Sequence, residues 1–291
     1  MLLIDYRILV WLIRWGLDMV KIWTQEEEIK LRELYPRIIT TDICSILNRT
    51  RGAIINKANG LGLRKPMCSR NLCNRKSRRK DFFIESYFEE INSHEKARIL
   101  GLIWADGSVH TKDGHYNMSI QLQECDGYIL EYIKNTLKSN RKLIFIKSRN
   151  INWQNTYILN LSSKYMNNSL AALNIVPNKT YAKLSPIVPQ QYINSFVLGL
   201  FEGDGSIVIN KNSPKIKIAN NYETCSWLKD SISPILDIGG GVYKDTHSNS
   251  YSWAVHGRHQ VIKIAKWMYK NIDINTVMLR KYNKFRENGI I

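Results

Sequence analysis

Two aspartates, Asp106 and Asp204, stand 98 residues apart in nearly superposable runs, "ILGLIWADGS" at Ile99 to Ser108 and "VLGLFEGDGS" at Val197 to Ser206. Leu100, Gly101, Leu102, Asp106, Gly107 and Ser108 recur as Leu198, Gly199, Leu200, Asp204, Gly205 and Ser206. Each run reads as an apolar helix that ends on its carboxylate. A helix C-terminus carries partial negative charge, so an Asp in its last turn costs about 0.3–1 kcal/mol. Such a carboxylate is misplaced for stability and well placed for a cation. Hard cations such as Mg²⁺ and Mn²⁺ take oxygen ligands and keep waters, which suits chemistry on phosphate esters.

The elements around the two runs repeat as well. After Gly107, "SVHTK" and "YNMSIQLQ" read as a hairpin whose second strand alternates Tyr116, Met118, Ile120 and Leu122 with Asn117, Ser119, Gln121 and Gln123. After Gly205, "SIVINK" and "KIKIAN" repeat the pattern, with Ile216 and Ile218 alternating with Lys215 and Lys217. A helix follows in each half (about 127–138 and 224–236), then a second hairpin (143–161 and 242–256), then another helix. The expected fold is α+β, two pseudo-symmetric α-β-β-α-β-β-α halves forming one domain over residues 94–189 and 190–291. Their two four-stranded sheets would offer a concave, charged surface.

A smaller module precedes them. In "WTQEEEIKLRELYPRIITTDICSILNRTRGAIINKANGLGLRK", Thr24 and Glu27 make a capping box for a helix from about Gln25 to Tyr35. Thr40 or Thr41 caps a second helix through Leu47. Thr50 caps a third, closed by Gly60 or Gly62. Trp23, Leu31, Leu34, Ile43, Ile46, Leu47, Ile54, Ala58 and Leu61 would share the core of this small all-α trihelical domain, residues 22–65. A helix-turn-helix of this kind sends its last helix into a major groove. The opening Trp-Thr-x-Glu-Glu also resembles the Myb-like family. That resemblance implies DNA contacts from Arg49, Arg51, Asn56 and Lys57. A basic linker is expected over 66–93, since Arg64 to Lys80 carries eight Lys and Arg and no acid.

The two spaced motifs, each followed by the same strand pattern, resemble the single-chain, two-motif LAGLIDADG homing endonucleases over residues 94–291. The resemblance implies that the motif helices pack along the pseudo-two-fold axis, with Gly101, Gly199, Ala105 and Gly203 permitting close approach. The helix ends then meet below the DNA, with Asp106 and Asp204, and Ala105 and Gly203 before them, as the cation-binding positions. Hydrolysis of both DNA strands is implied, with divalent cations assisting attack by water and departure of the 3′-oxygen. The family's lysines near the scissile phosphates match Lys179 in "LNIVPNKTYAKLSP" and Lys281 in "INTVMLRKYNKF". Its polar site positions match Gln123 and Asn220. Strand residues expected to read DNA are His110, Lys112, Asn117, Ser119, Gln121, Asn210, Lys215 and Lys217. Trp104 departs from the family's smaller or acidic sixth position, where the second motif keeps Glu202. It reads as a core anchor on the outer face of its helix.

Composition agrees with a polyanionic partner, since 42 Lys and Arg against 25 Asp and Glu leave a formal charge of +17. Five scattered cysteines and no secretory signal point to a reducing compartment, cytoplasmic or organellar. Cys68 with Cys73, and His256 with His259, lack the further ligands of a zinc site. Gly239-Gly240-Gly241 lacks the Lys-Ser/Thr of a phosphate loop and reads as a turn. Residues 1–21 read as a dispensable extension. Charges interrupt the apolar run, which argues against a membrane span, and a purine-rich codon stretch for Arg14 to Gly16 would favour a start at Met19. No intein splicing residues are visible at the chain ends. The expected function is a site-specific, monomeric endonuclease acting on double-stranded DNA, free-standing or intron-encoded. The alternatives are a cleavage-inactive transcription regulator and a maturase that binds intron RNA.

Overall fold

The computed structural model describes residues 22–36, 38, 40–64, 81–150, 152–209, 213–246 and 250–291. The expectations for residues 1–21, Cys68, Cys73 and Asn210 fall outside them. Two compact units result, one ending at Lys80 and the other running from Asp81 to Ile291.

The first unit holds helices α1 (Gln25–Leu34), α2 (Thr40–Leu47) and α3 (Arg51–Gly60). The capping box forms as expected: the Thr24 hydroxyl accepts from Glu27 N, and Thr24 N donates to the Glu27 carboxylate. Thr50 caps α3 by accepting from Ala53 N. Gly62, at φ +66°, turns the chain out of that helix as Leu63 N reaches back to Ala58 O. Leu31, Tyr35, Ile43, Leu47, Ile54 and Ala58 are buried together. Ile46 is 55% exposed, contrary to expectation. Ile43 and Leu47, one turn apart, take the inward side of α2 and leave Ile46 outside.

In the second unit, α4 (His94–Asp106) passes without a loop into β1 (Gly107–Lys112), followed by β2 (His115–Gln123), α5 (Gly127–Thr136), β3 (Ile144–Ile146), β4 (Thr156–Leu161) and α6 (Lys164–Ala172). The second half repeats this as α7 (Ile193–Asp204), β5 (Gly205–Val208), β6 (Lys215–Asn220), α8 (Tyr222–Leu236), β7 (Gly241–Lys244), β8 (Tyr251–His256) and α9 (Arg258–Tyr269), and closes with α10 (Leu279–Glu287). The fold is α+β. Both sheets are antiparallel, ordered β1-β2-β4-β3 and β5-β6-β8-β7. Gly107 lies opposite Ile120 and Gly205 opposite Ile218, so the two first hairpins share one register.

The motif helices α4 and α7 make the most extensive helix–helix contact among the described residues. Its closeness depends on two glycines. A Cβ on Gly101 would run into the carbonyl of Phe196, and one on Gly199 into the carbonyl of Arg98. These are reciprocal contacts, since Phe196 and Arg98 are themselves 98 residues apart. Apolar residues of both halves join one core around this seam. Trp104 belongs to the seam and not to the outer face: it is 2% exposed, stacks edge-on against Phe196, and donates Nε1–H to Thr224 Oγ1 at 3.2 Å. Residues 81–93, expected as part of the linker, belong to the second unit. Tyr87, Phe88 and Ile91 are buried in the core, and Phe82 N donates to Asn140 Oδ1.

Candidate active site

Asp106 and Asp204 are the last residues of α4 and α7, and both are half-buried. Crossing of the helices at Gly101 and Gly199 brings these ends together. A Cβ on Gly203 would lie 2.7 Å from Asp106 Oδ2 and overlap Ala105 Cβ, so the absence of a side chain at 203 makes room for the first carboxylate beside the second. Burial raises the pKa of Asp204, and the neighbouring Asp106 charge adds to it, pushing it up to about 6 against the opposing effects of Asn220, Lys179 and Lys281. Asp106 is raised as well, by burial, while Lys281, Lys179 and Arg280 pull it down. Two carboxylates held in mutual repulsion with helix-end carbonyls nearby form an all-oxygen donor set, and it fits a hard divalent cation. Among the described residues no group of three or more His, Cys, Asp and Glu gathers to hold a metal ion, so side chains would supply two ligands only.

The two expected lysines converge on the same place by capping helix ends. Lys281, on α10, is 7% exposed and donates to the carbonyls of Phe201 (2.8 Å), Gly203 (3.0 Å) and Gly205 (2.6 Å). An ammonium has three N–H donors, and all three are used. Burial is the main cause that lowers its pKa, to about 8. Lys179 donates to the Gly107 carbonyl and is also lowered by burial, with Asp204 and Asp106 opposing. Each lysine thus sets positive charge where its own half's motif helix ends.

The polar partners differ between halves. Asn220, at the end of β6, donates Nδ2–H to Asp204 Oδ2 at 2.7 Å. Gln123 does not occupy the equivalent place. Register puts Leu122, two residues beyond Ile120, where Asn220 stands two beyond Ile218, and Leu122 is 5% exposed. Gln123 points to the other side and is exposed. A one-residue slip moves a strand side chain to the opposite face, and that is the size of the discrepancy.

On the sheets, Val109, Met118, Ile120 and Leu122 are buried while His110, Lys112 and Gln121 are exposed and Asn117 and Ser119 half-exposed. Cross-strand bonds organise this polar face, Gln121 Nε2 to Thr156 Oγ1 at 2.9 Å and Ser162 Oγ to Asn117 Oδ1 at 3.1 Å. In the second sheet Lys215 and Lys217 lie half-exposed beside buried Ile216 and Ile218.

Two of the four residues expected to touch DNA from the helical unit are committed elsewhere. Arg49 is buried, donates to both oxygens of the Glu27 carboxylate and to Ile22 O, and lies 4.7 Å from the Trp23 ring centroid. It is an internal tie. Lys57 pairs with Glu28 and leans on the same ring. Arg51 and Asn56 are exposed.

Two ion pairs that join the halves were not evident from the sequence. Arg280 Nε donates to buried Asp126 Oδ2 at 2.8 Å, tying α10 of the second half to the first. Arg98 pairs with Glu202 across the motif helices at 2.8 Å. Glu202 was visible as an acid in an apolar run, and Arg98 as a cation at the start of one.

No family model matches the chain. Among curated proteins, a DNA polymerase of Thermococcus hydrothermalis is 21% identical over 197 residues, 65% of this chain, and the chain spans 12% of that polymerase's length. Among solved structures, the homing endonuclease I-WcaI bound to its DNA recognition sequence is 12% identical, covers 75% of this chain and 93% of its own, and has a TM-score of 0.48. Meganuclease I-SmaMI bound to uncleavable DNA is 13% identical over 65% of this chain and 87% of its own, with a TM-score of 0.45. The N-terminal LAGLIDADG domain of DUF199/WhiA is 16% identical over 72% of this chain and 94% of its own, with a TM-score of 0.45.

Proposed function

We propose that this chain is a site-specific, cation-dependent DNA endonuclease of the LAGLIDADG homing type, making double-strand breaks by phosphodiester hydrolysis. The observation that carries the reading is the pairing of Asp106 and Asp204 at two abutting helix ends, where neither charge helps the fold. Around them stand Lys179 and Lys281, and the sheets present polar and basic faces suited to duplex DNA. The helical unit would add contacts through Arg51 and Asn56, as a Myb-like module, and the whole would act as a monomer.

Asp106 and Asp204, with the carbonyls of Ala105 and Gly203, would hold Mg²⁺ or Mn²⁺. When bound, the cation supplies charge neutralisation of the phosphate and polarisation of water. Asn220 Nδ2–H fixes Asp204 Oδ2 and so orients that carboxylate. Lys179 retains N–H capacity beyond its bond to Gly107 O and is suited to oppose the charge that develops on a phosphate in attack. Lys281 has its donors engaged, so it acts by position: it secures the end of α7 and keeps positive charge beside both aspartates.

The test is cleavage selection on a genomic or randomised DNA library with the full chain in Mg²⁺ and in EDTA. Cuts in both strands at one long site, present only with Mg²⁺, support the reading. Specific binding without a cut in Mg²⁺ or Mn²⁺ would replace it with a regulator, and preference for a folded intron RNA with a maturase.

A further inference from the structure

Two contacts flank the crossing of α4 and α7, and they are chemical opposites at pseudo-symmetric positions. Arg98 of α4 donates Nε to Glu202 Oε2 at 2.8 Å and Nη2 to Oε1 at 3.1 Å, with side chains 3% and 0% exposed. Their remaining capacity is also used, since Arg98 donates to Thr276 Oγ1 and O and Glu202 Oε1 accepts from Met278 N. A shift of 98 residues carries Arg98 onto Phe196 and Glu202 onto Trp104. Those two rings meet edge to face, with centroids 6.2 Å apart. One side of the seam is ionic and the other aromatic.

We propose that this exchange is a pairing lock: the motif-helix face of each half fits the other half and rejects a second copy of itself. The backbone crossing itself does not discriminate, because Gly101 and Gly199 make the same close approach and leucines recur at 100, 102, 198 and 200. Two chains could therefore satisfy these faces by pairing like with like, first half on first and second on second, as a closed dimer. In a pair of second halves, Glu202 would face Phe196 twice and bury two carboxylates without a cation. In a pair of first halves, Arg98 would face Trp104 twice and lose its carboxylate. Buried charge without its partner is strongly unfavourable, whereas the same groups paired across the two halves are satisfied. A seam with two aromatic contacts, or two ion pairs, would allow both assemblies. Only the mixed seam selects one. The partner this surface fits is thus the other half of the same chain, whatever that chain does to DNA.

The experiment uses the full chain carrying either of two affinity tags, mixed in urea, refolded together, and read by tag co-purification and sedimentation. Wild type is expected to give monomers carrying one tag. Arg98→Phe with Glu202→Trp makes both contacts alike and is expected to give mixed-tag dimers that wild type lacks. Glu202→Gln keeps an acceptor for Met278 N while removing the charge and the acceptor of Arg98 Nε, and it is expected to give a smaller mixed-tag fraction, so the test survives misfolding of the double variant. A folded Glu202→Gln protein that gives no more mixed-tag dimer than wild type overturns the proposal.

Discussion

Replacing Asp204 by Asn should abolish cutting and yet stabilise the cation-free protein. Asp204 is raised from an ordinary 3.8 to about 6 by burial and by the charge of Asp106. That is a shift of about two units, worth roughly 3 kcal/mol at about 1.4 kcal/mol per unit. Partial exposure and the retained amide bond from Asn220 reduce the gain expected from Asn to about 2 kcal/mol. Because the folded pKa lies above the unfolded one, the carboxylate's penalty is absent below about pH 4, grows as pH rises and is complete above about pH 6. Calorimetry in EDTA at pH 8 should therefore show Asp204→Asn melting roughly 4–8 °C above wild type. The advantage should vanish near pH 4, and Mg²⁺ should raise wild type more than the variant. A variant that melts at or below wild type at pH 8 in EDTA would refute the idea that the two carboxylates are held against their mutual repulsion.

Gly203→Ala would press a methyl against Asp106 Oδ2 and Ala105; single-turnover cleavage should fall about tenfold or more while DNA affinity stays within about threefold. Gly199→Ala meets backbone at the Arg98 carbonyl, so denaturant unfolding should show a loss of about 3 kcal/mol, the upper range for overpacking. Asn220→Leu removes the bond that lowers the Asp204 pKa, so cleavage should drop about tenfold at pH 7 and recover toward pH 8.5 in a pH–rate profile. Arg49→Ala should weaken hydrogen-exchange protection over residues 24–60 by about 1–3 kcal/mol, whereas Arg51→Ala should leave protection unchanged and lower the salt dependence of DNA binding by about one phosphate contact.

What the sequence made legible is what repeats locally. The two motifs carried their own glycines, carboxylates and following hairpins, so helix ends and sheet faces could be read from periodicity and spacing, while the meeting of Asp106 with Asp204 was implied by family resemblance. Lys179 and Lys281 came through family resemblance, and their attachment to helix-end carbonyls came only from the fold. Gln123 was off by one because an alternating strand fixes the set of faces but not which residue stands beside a helix end, and Leu122 looks like core in either register. Trp104 sits in a helix buried on nearly all sides, where periodicity has no outward face to report. Arg49 looked like a groove contact because its partner, Glu27, lies 22 residues away and was already assigned to the capping box. Residues 81–93 followed a basic run and inherited its reading, although Phe83, Tyr87, Phe88 and Ile91 carry the apolar signal of a core segment.

Strand-resolved, single-turnover cleavage of an end-labelled duplex bearing the selected site, by wild type, Asp106→Asn and Asp204→Asn in Mg²⁺, with binding measured in parallel in Ca²⁺, tests whether the two carboxylates act together. If Asp106 and Asp204 together hold the cations at one cutting site, each variant binds within about threefold of wild type and loses at least about a hundredfold in double-strand cutting. Either variant cutting both strands at the wild-type rate would contradict it.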